Sequence, residues 1–93
     1  MAARALAALD GVDDAIAAAK GAGGLKGKDA NELERRARDV RSALTQGDLD
    51  KAAKAANELA NSVDKLADEI DDEDVARRLQ NAVEAVVDIL RDR

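Results

Sequence analysis

The sequence predicts an all-α protein folded as an antiparallel up-down four-helix bundle. Three observations predict it. Large aliphatic residues recur at spacings of three and four along four stretches, residues 2–20, 29–46, 48–70 and 72–91. No stretch alternates apolar and polar residues as a half-buried strand would. The breaks between stretches carry glycine or a run of acidic residues, which stop one helix and start the next. Stretches of this length make rods of roughly 25–33 Å at 1.5 Å per residue, and short connections between matched rods favour antiparallel neighbours. The whole chain, residues 1–93, reads as one domain. The alternative arrangement is a three-helix core built from the last three stretches with the first loosely docked. In that case the apolar stripe of the first helix is exposed and drives dimerisation.

The first stretch carries Leu6, Leu9, Val12, Ile16 and Ala19 on one face, with Gly11 off that face. Residues Gly21-Ala22-Gly23-Gly24-Leu25-Lys26-Gly27-Lys28 then end it, because clustered glycines have too much conformational freedom to hold a helix. Leu25, alone among polar and small neighbours, is expected to fold back over the bundle end. The second stretch begins at Asp29, which with Glu32 three residues later has the pattern of a capping box. Its stripe is Ala30, Leu33, Ala37, Val40 and Leu44, and Gly47 is expected to take the left-handed conformation that closes a helix. Asp48 follows as the next N-cap.

The third stretch is the most regular: Leu49, Ala52, Ala56, Leu59, Val63, Leu66 and Ile70 alternate by three and four over three heptads. The run Asp71-Asp72-Glu73-Asp74 separates it from the fourth and complements the positive N-terminal end of that helix. Val75, Leu79, Ala82, Val83, Val86, Ile89 and Leu90 give the fourth stretch a face wide enough to touch two neighbours. Arg91 and Arg93 stand near its negative end.

Composition narrows function by exclusion. The chain of 93 residues has a net charge of -5 and contains no Cys, His, Pro, Phe, Tyr or Trp. Thiolate metal sites, disulfides and thiol nucleophiles therefore have no residues to use. A triad base and the Glu-x-x-His ligands of a di-iron bundle are missing too. There is no aromatic platform on which bases could stack. Of the 43 apolar residues, 22 are Ala, so the core is thin and the helices must approach closely. No apolar run is long enough to span a bilayer, and the Ala-rich start lacks the continuous core of a signal peptide.

The remaining motifs point to surfaces rather than chemistry. The glycine loop fails the phosphate-loop spacing: five residues separate Gly21 from Gly27-Lys28, Asp29 follows instead of Ser or Thr, and no strand precedes. Lys20, Lys26 and Lys28 there offset the negative end of the first helix. Asp71 to Asp74 lacks the alternating ligands and central Gly of a calcium loop. Ser42, Thr45 and Ser62 have no marked activating base, and Asn57, Asn61 and Asn81 border the seams. Five one-turn pairs are expected on exposed faces: Glu32–Arg36, Glu34–Arg38, Asp50–Lys54, Glu73–Arg77 and Asp74–Arg78. Two candidate partner surfaces remain, the arginine stripe Arg35, Arg36, Arg38 and Arg41 and the acidic corner Asp71, Asp72, Glu73 and Asp74. Neither cofactor nor metal is expected, nor is nucleic acid, since Glu32, Glu34 and Asp39 interrupt the basic stripe and no reading face accompanies it.

Three segments, Leu9-Asp10-Gly11-Val12-Asp13, Gly24 through Leu33, and Gly47-Asp48-Leu49-Asp50, carry a resemblance. They resemble the Ala/Asp-rich helical modules found beyond the kinase domain in some actinobacterial serine/threonine kinases, and are similar to the FIVAR-type helical modules of bacterial surface proteins. The resemblance implies an accessory extracytoplasmic module for spacing or contacts, and no kinase motif accompanies it. A second origin is an engineered bundle, which the regular heptads suit and the glycine loop and Gly11 do not. The functional expectation is a non-enzymatic helical scaffold or protein-interaction module, with self-association as one form of partnership. The alternative is a helical bundle that binds a small apolar ligand at its centre.

Overall fold

The computed structural model describes residues 2–21 and 24–92. Met1, Ala22, Gly23 and Arg93 lie outside them, so the part of the glycine-loop reading that falls on Ala22 and Gly23, and the expectation for Arg93, lie outside the described residues. Among the described residues there are four helices and no strand: α1 (Ala2–Gly21), α2 (Gly27–Thr45), α3 (Leu49–Ala67) and α4 (Glu73–Arg91). Adjacent helices pack in a ring, α1 on α2, α2 on α3, α3 on α4 and α4 back on α1. The diagonal pairs have no Cα atoms within 8 Å of one another. This is the antiparallel four-helix bundle that the spacing predicts, with extents of 36 × 21 × 19 Å.

The first helix is fully part of the core. Leu9, Val12 and Ile16 are 0 % exposed, so the three-helix alternative with a loose first helix does not hold. The reason is α4, whose wide face lays Leu79, Val83 and Val86 toward the centre and still covers α1 on one flank. The core is a single cluster in which every buried side chain among the described residues is aliphatic. Fifteen of its 24 members are Ala or Val, and alanines such as Ala5, Ala15, Ala30, Ala52 and Ala56 let the backbones approach closely.

Each boundary has a local cause. Gly47 has φ +77°, and its N–H bonds to the carbonyl of Leu44 at 3.1 Å while Asp48 N–H reaches that of Ala43 at 3.0 Å. This is a Schellman closure, in which the orphan carbonyls of the last turn of α2 are satisfied by the residues that reverse the chain. Asp48 then caps α3, accepting from Lys51 N–H at 3.0 Å. Asp72 caps α4 in the same way, its Oδ1 accepting from Asp74 N–H at 3.0 Å and Val75 N–H at 3.3 Å.

Two boundaries differ from expectation. The N-cap of α2 is Lys26, not Asp29: the first helical bond runs from Ala30 N–H to Lys26 carbonyl at 2.9 Å, and no side chain caps this end. Asp29 instead sits inside the first turn, where its charge favours the positive helix end. Helix α3 ends at Ala67, three residues before the expected Ile70. Glu69 and Ile70 bond back to the carbonyls of Leu66 and Ala67, three residues earlier, so the chain tightens and turns Ile70 inward.

That turn closes one end of the bundle. Ile70 is 5 % exposed and Leu25 is 4 % exposed, so Leu25 does fold back as its isolation suggested. A methyl group at Gly24 would stand 2.9 Å from Ile70 Cγ2, so the glycine is required by the close approach of the two loops at this end. Gly11, by contrast, lies on the exposed face of α1 with nothing within 4 Å of where a Cβ would sit. Leu49 and Leu66, at the two ends of the third stripe, are only half-buried.

Replacing Leu59, 0 % exposed, by Ala is expected to cost about 2–5 kcal/mol, and the same change at half-buried Leu66 clearly less, as read from urea midpoints at constant slope. Glycine substitutions should show opposite signs in dilute solution. Gly47→Ala forces a Cβ into the left-handed region and should destabilise by about 1 kcal/mol, while Gly11→Ala should stabilise by about 0.5–1 kcal/mol.

Candidate functional site

The two candidate partner surfaces differ in what the fold has already done with their charges. At about 100° per residue, Arg36 and Arg41 lie roughly 140° apart around α2, on opposite edges of its buried stripe. Arg35 and Arg38 occupy the outer side between them. The four arginines therefore do not form one stripe, and three of them are engaged within the chain.

Arg41 reaches across to α1. Its Nη2 donates to Asp10 Oδ1 at 3.2 Å and to Asp13 Oδ2 at 3.0 Å, carboxylates that sit one turn apart on the facing edge. Arg36 reaches the other way, its Nη1 lying 3.7 Å from Glu58 Oε2 on α3. The Nε of Arg36 is 3.1 Å from Glu32 Oε1 and shielded from solvent, but poorly aligned for a hydrogen bond, so this contact is chiefly one of charge. Arg35 Nη2 donates to both oxygens of Glu32 at 2.8 and 2.9 Å. Glu32 therefore serves two guanidiniums rather than a capping box. The hydrogen bond from Arg35 holds its carboxyl below the ordinary value of 4.5, against the opposing effect of desolvation and with further help from the charges of Arg35 and Arg36.

Arg38 is the exception. It is exposed beside Asp13 and Glu34 at an open depression of about 260 Å³, and no carboxylate among the described residues comes within 4 Å of it. The expected Glu34–Arg38 pair is thus not made. In α4, Arg77 pairs with Asp74 at 3.8 Å, replacing both the Glu73–Arg77 and the Asp74–Arg78 pairs, since a three-residue step brings these side chains together as readily as four. Arg91 pairs with Asp88 at 3.7 Å.

The acidic corner has the opposite character. Asp72 is committed to capping and Asp74 to Arg77. Asp71 and Glu73 are exposed, as are Asp68 and Glu69 just before them, and none has an ion-pair partner among the described residues. The corner shares its end of the bundle with the exposed Lys20, Lys26 and Lys28, because Gly24 packs on Ile70. Among the described residues no three carboxylates converge closely enough to hold a metal ion.

Other polar residues have structural partners or face outward. Thr45 Oγ1 donates to the Arg41 carbonyl at 2.9 Å, and Ser42 Oγ accepts from Gln46 Nε2 at 3.4 Å. Asn57, Asn61 and Asn81 are exposed. Asn57 borders an open groove of about 260 Å³ between α3 and α4, with Ala53, Val87, Leu90 and Arg91. Among the described residues no helix is long and apolar enough to cross a membrane.

Sequence reasoning missed the cross-helix contacts of Arg36 and Arg41. Their position at the edges of the apolar stripe was a usable signal, since edge positions of a bundle face charges on the neighbour. Comparison of the chain with protein-family models, curated proteins and solved structures finds no match.

Two measurements follow from this geometry. A double-mutant cycle between Arg41→Ala and Asp13→Ala should return a coupling of about 0.2–1 kcal/mol that shrinks at high salt, because both side chains are at least partly exposed. The lowered pKa of Glu32 means that its charged form is favoured by folding. Its stabilising contribution should be complete above the unfolded value of 4.5 and be lost as pH falls through the lower folded value. Glu32→Gln should remove that part of the acid dependence in denaturation curves taken on both sides of this window.

Proposed function

We infer that the chain is a non-enzymatic helical scaffold, an interaction module that presents fixed charged surfaces to protein partners. One observation carries this reading: three of the four arginines of α2 are paired within the chain, Arg36 and Arg41 with neighbouring helices and Arg35 with Glu32, whereas Asp68, Glu69, Asp71 and Glu73 project from a closed bundle end without ion-pair partners among the described residues. Of the two candidate surfaces, the acidic corner is the better one. Unpaired carboxylates on a well-capped helix start steer a basic partner through long-range attraction, and complementary charge sets orientation and encounter rate more than affinity. Arg38 remains as a lesser contact on the outer side of α2.

The resemblance to accessory modules of bacterial kinases fits this role as a proposal. Such a module supplies spacing or contacts beside a catalytic domain and performs no chemistry itself. The bundle, which brings the start of α1 and the end of α4 to the end opposite the acidic corner, suits that use. The apolar-ligand reading has less to stand on: the groove between α3 and α4 is open to solvent and at about 260 Å³ falls below the usual range for such sites.

A photo-crosslinking residue at position 71, compared with one at position 38, checks the surface in an extract of cells that carry the chain. A discrete protein adduct at 71 that is weaker or missing at 38 supports the reading. No adduct at 71, or equal labelling at both, overturns it. Against fatty acids and sterols the thermal midpoint is expected to stay constant, and a saturable rise of several degrees would transfer the assignment to ligand binding.

A further inference from the structure

We propose that the outward face of α1 is a homodimer interface through which two copies pack antiparallel about a two-fold axis. It deepens the scaffold reading by naming one partner, a second copy, at a face remote from the acidic corner.

Besides the buried stripe, α1 carries a second heptad series: Arg4, Ala7, Gly11, Asp14, Ala18 and Gly21, spaced three and four. Arg4, Ala7, Gly11, Asp14 and Gly21 are exposed and Ala18 is half-buried. Arg4 and Asp14 are the two charges of this series, and Ala3 and Ala17 beside it are exposed as well. Fifteen of the twenty residues of α1 are Ala, Gly or aliphatic, and the other exposed charges, Asp10, Asp13 and Lys20, lie to one side of this series.

Charge selects the occupant. In an antiparallel pair the first and fourth heptad positions of one helix face the fourth and first of the other. Centring the axis between Ala7 and Gly11 sets Arg4 opposite the second copy's Asp14, and Asp14 opposite its Arg4, so one arrangement makes two ion pairs. Ala7 then faces Gly11 in both directions, and with so little side chain between them the helices can approach to about 8 Å. A parallel arrangement sets Arg4 on Arg4 and Asp14 on Asp14. Sliding the antiparallel pair by one heptad sets Asp14 against Gly11 and leaves its charge unpaired. Neither Arg4 nor Asp14 has an ion-pair partner among the described residues of its own chain.

Gly11 supplies the independent argument. Its open surroundings within the monomer give no reason for glycine, and glycine weakens a helix interior. Close approach of another backbone from outside gives one.

Sedimentation equilibrium of the full chain, from micromolar to millimolar concentration, tests the proposal. A monomer–dimer equilibrium is expected, weakened in about 0.5 M salt where charges are screened. Gly11→Leu and Arg4→Glu should each weaken dimerisation about tenfold or more, and Arg4→Glu combined with Asp14→Arg should recover it. Circular dichroism should show each variant as helical as the parent, because all three positions are exposed. A 9.8 kDa monomer at every concentration overturns the proposal, as does a dimer indifferent to Arg4→Glu or not recovered by the double exchange. Loss of the dimer leaves crosslinking at position 71 unaffected, so the two readings fail separately.

Discussion

The structure depends on one constraint: four amphipathic rods must bury a core that, among the described residues, contains no polar side chain and few large ones. Twenty Leu, Val and Ile residues supply the bulk of the apolar volume, and alanine supplies the rest. A core of this kind has no buried side-chain hydrogen bond or ion pair to select register. Shape must do so, through the alternation of Leu, Ile and Val with Ala across facing helices. The price of small side chains is less area removed from water per residue, which close helix approach recovers in dispersion contacts.

Peripheral charge and end closure add what the core lacks. Arg36 and Arg41 stand where the stripe of α2 meets solvent, half in and half out, so their stems cover apolar surface while their guanidiniums reach α3 and α1. Such pairs add little stability, because solvent screens them. Their consequence is angular: α2 is held from both edges. At one bundle end Leu25 and Ile70 close the core, and Gly24 admits the contact between their loops. At the other, the Gly47 closure and the Asp48 cap reverse the chain within three residues.

Legibility in the sequence followed the range of the interaction. The stripes, the left-handed Gly47 and the Asp48 cap depend on residues within one or two turns, and all were readable before the fold. The start of α2 was not, because Asp29 and Glu32 form a good capping pattern whose Glu is drawn away by Arg35 and Arg36. The end of α3 was not either, because Ile70 keeps the heptad spacing while its backbone has already left the helix to close the bundle end. The arginine surface was misread for the same reason. Four basic residues close in sequence look like one patch until the neighbours of α2 are placed, and then Asp10, Asp13 and Glu58 claim two of them.

Glycine separates what folding requires from what it does not. Gly47 is explained by its own backbone angle and Gly24 by a neighbour that leaves no room for a methyl group. Gly11 has neither reason inside the chain: it is helical, exposed and uncrowded, a position where alanine would serve the monomer better. A residue that opposes the local preference without a compensating contact within its own fold points outside that fold. The same logic applies to Arg4 and Asp14, whose charges find no partner among the described residues of the bundle yet complement each other across an antiparallel axis. In a molecule whose buried side chains, among the described residues, are all aliphatic, specificity for partners has to be written on the surface, and on α1 it is written in the residues that folding alone does not explain.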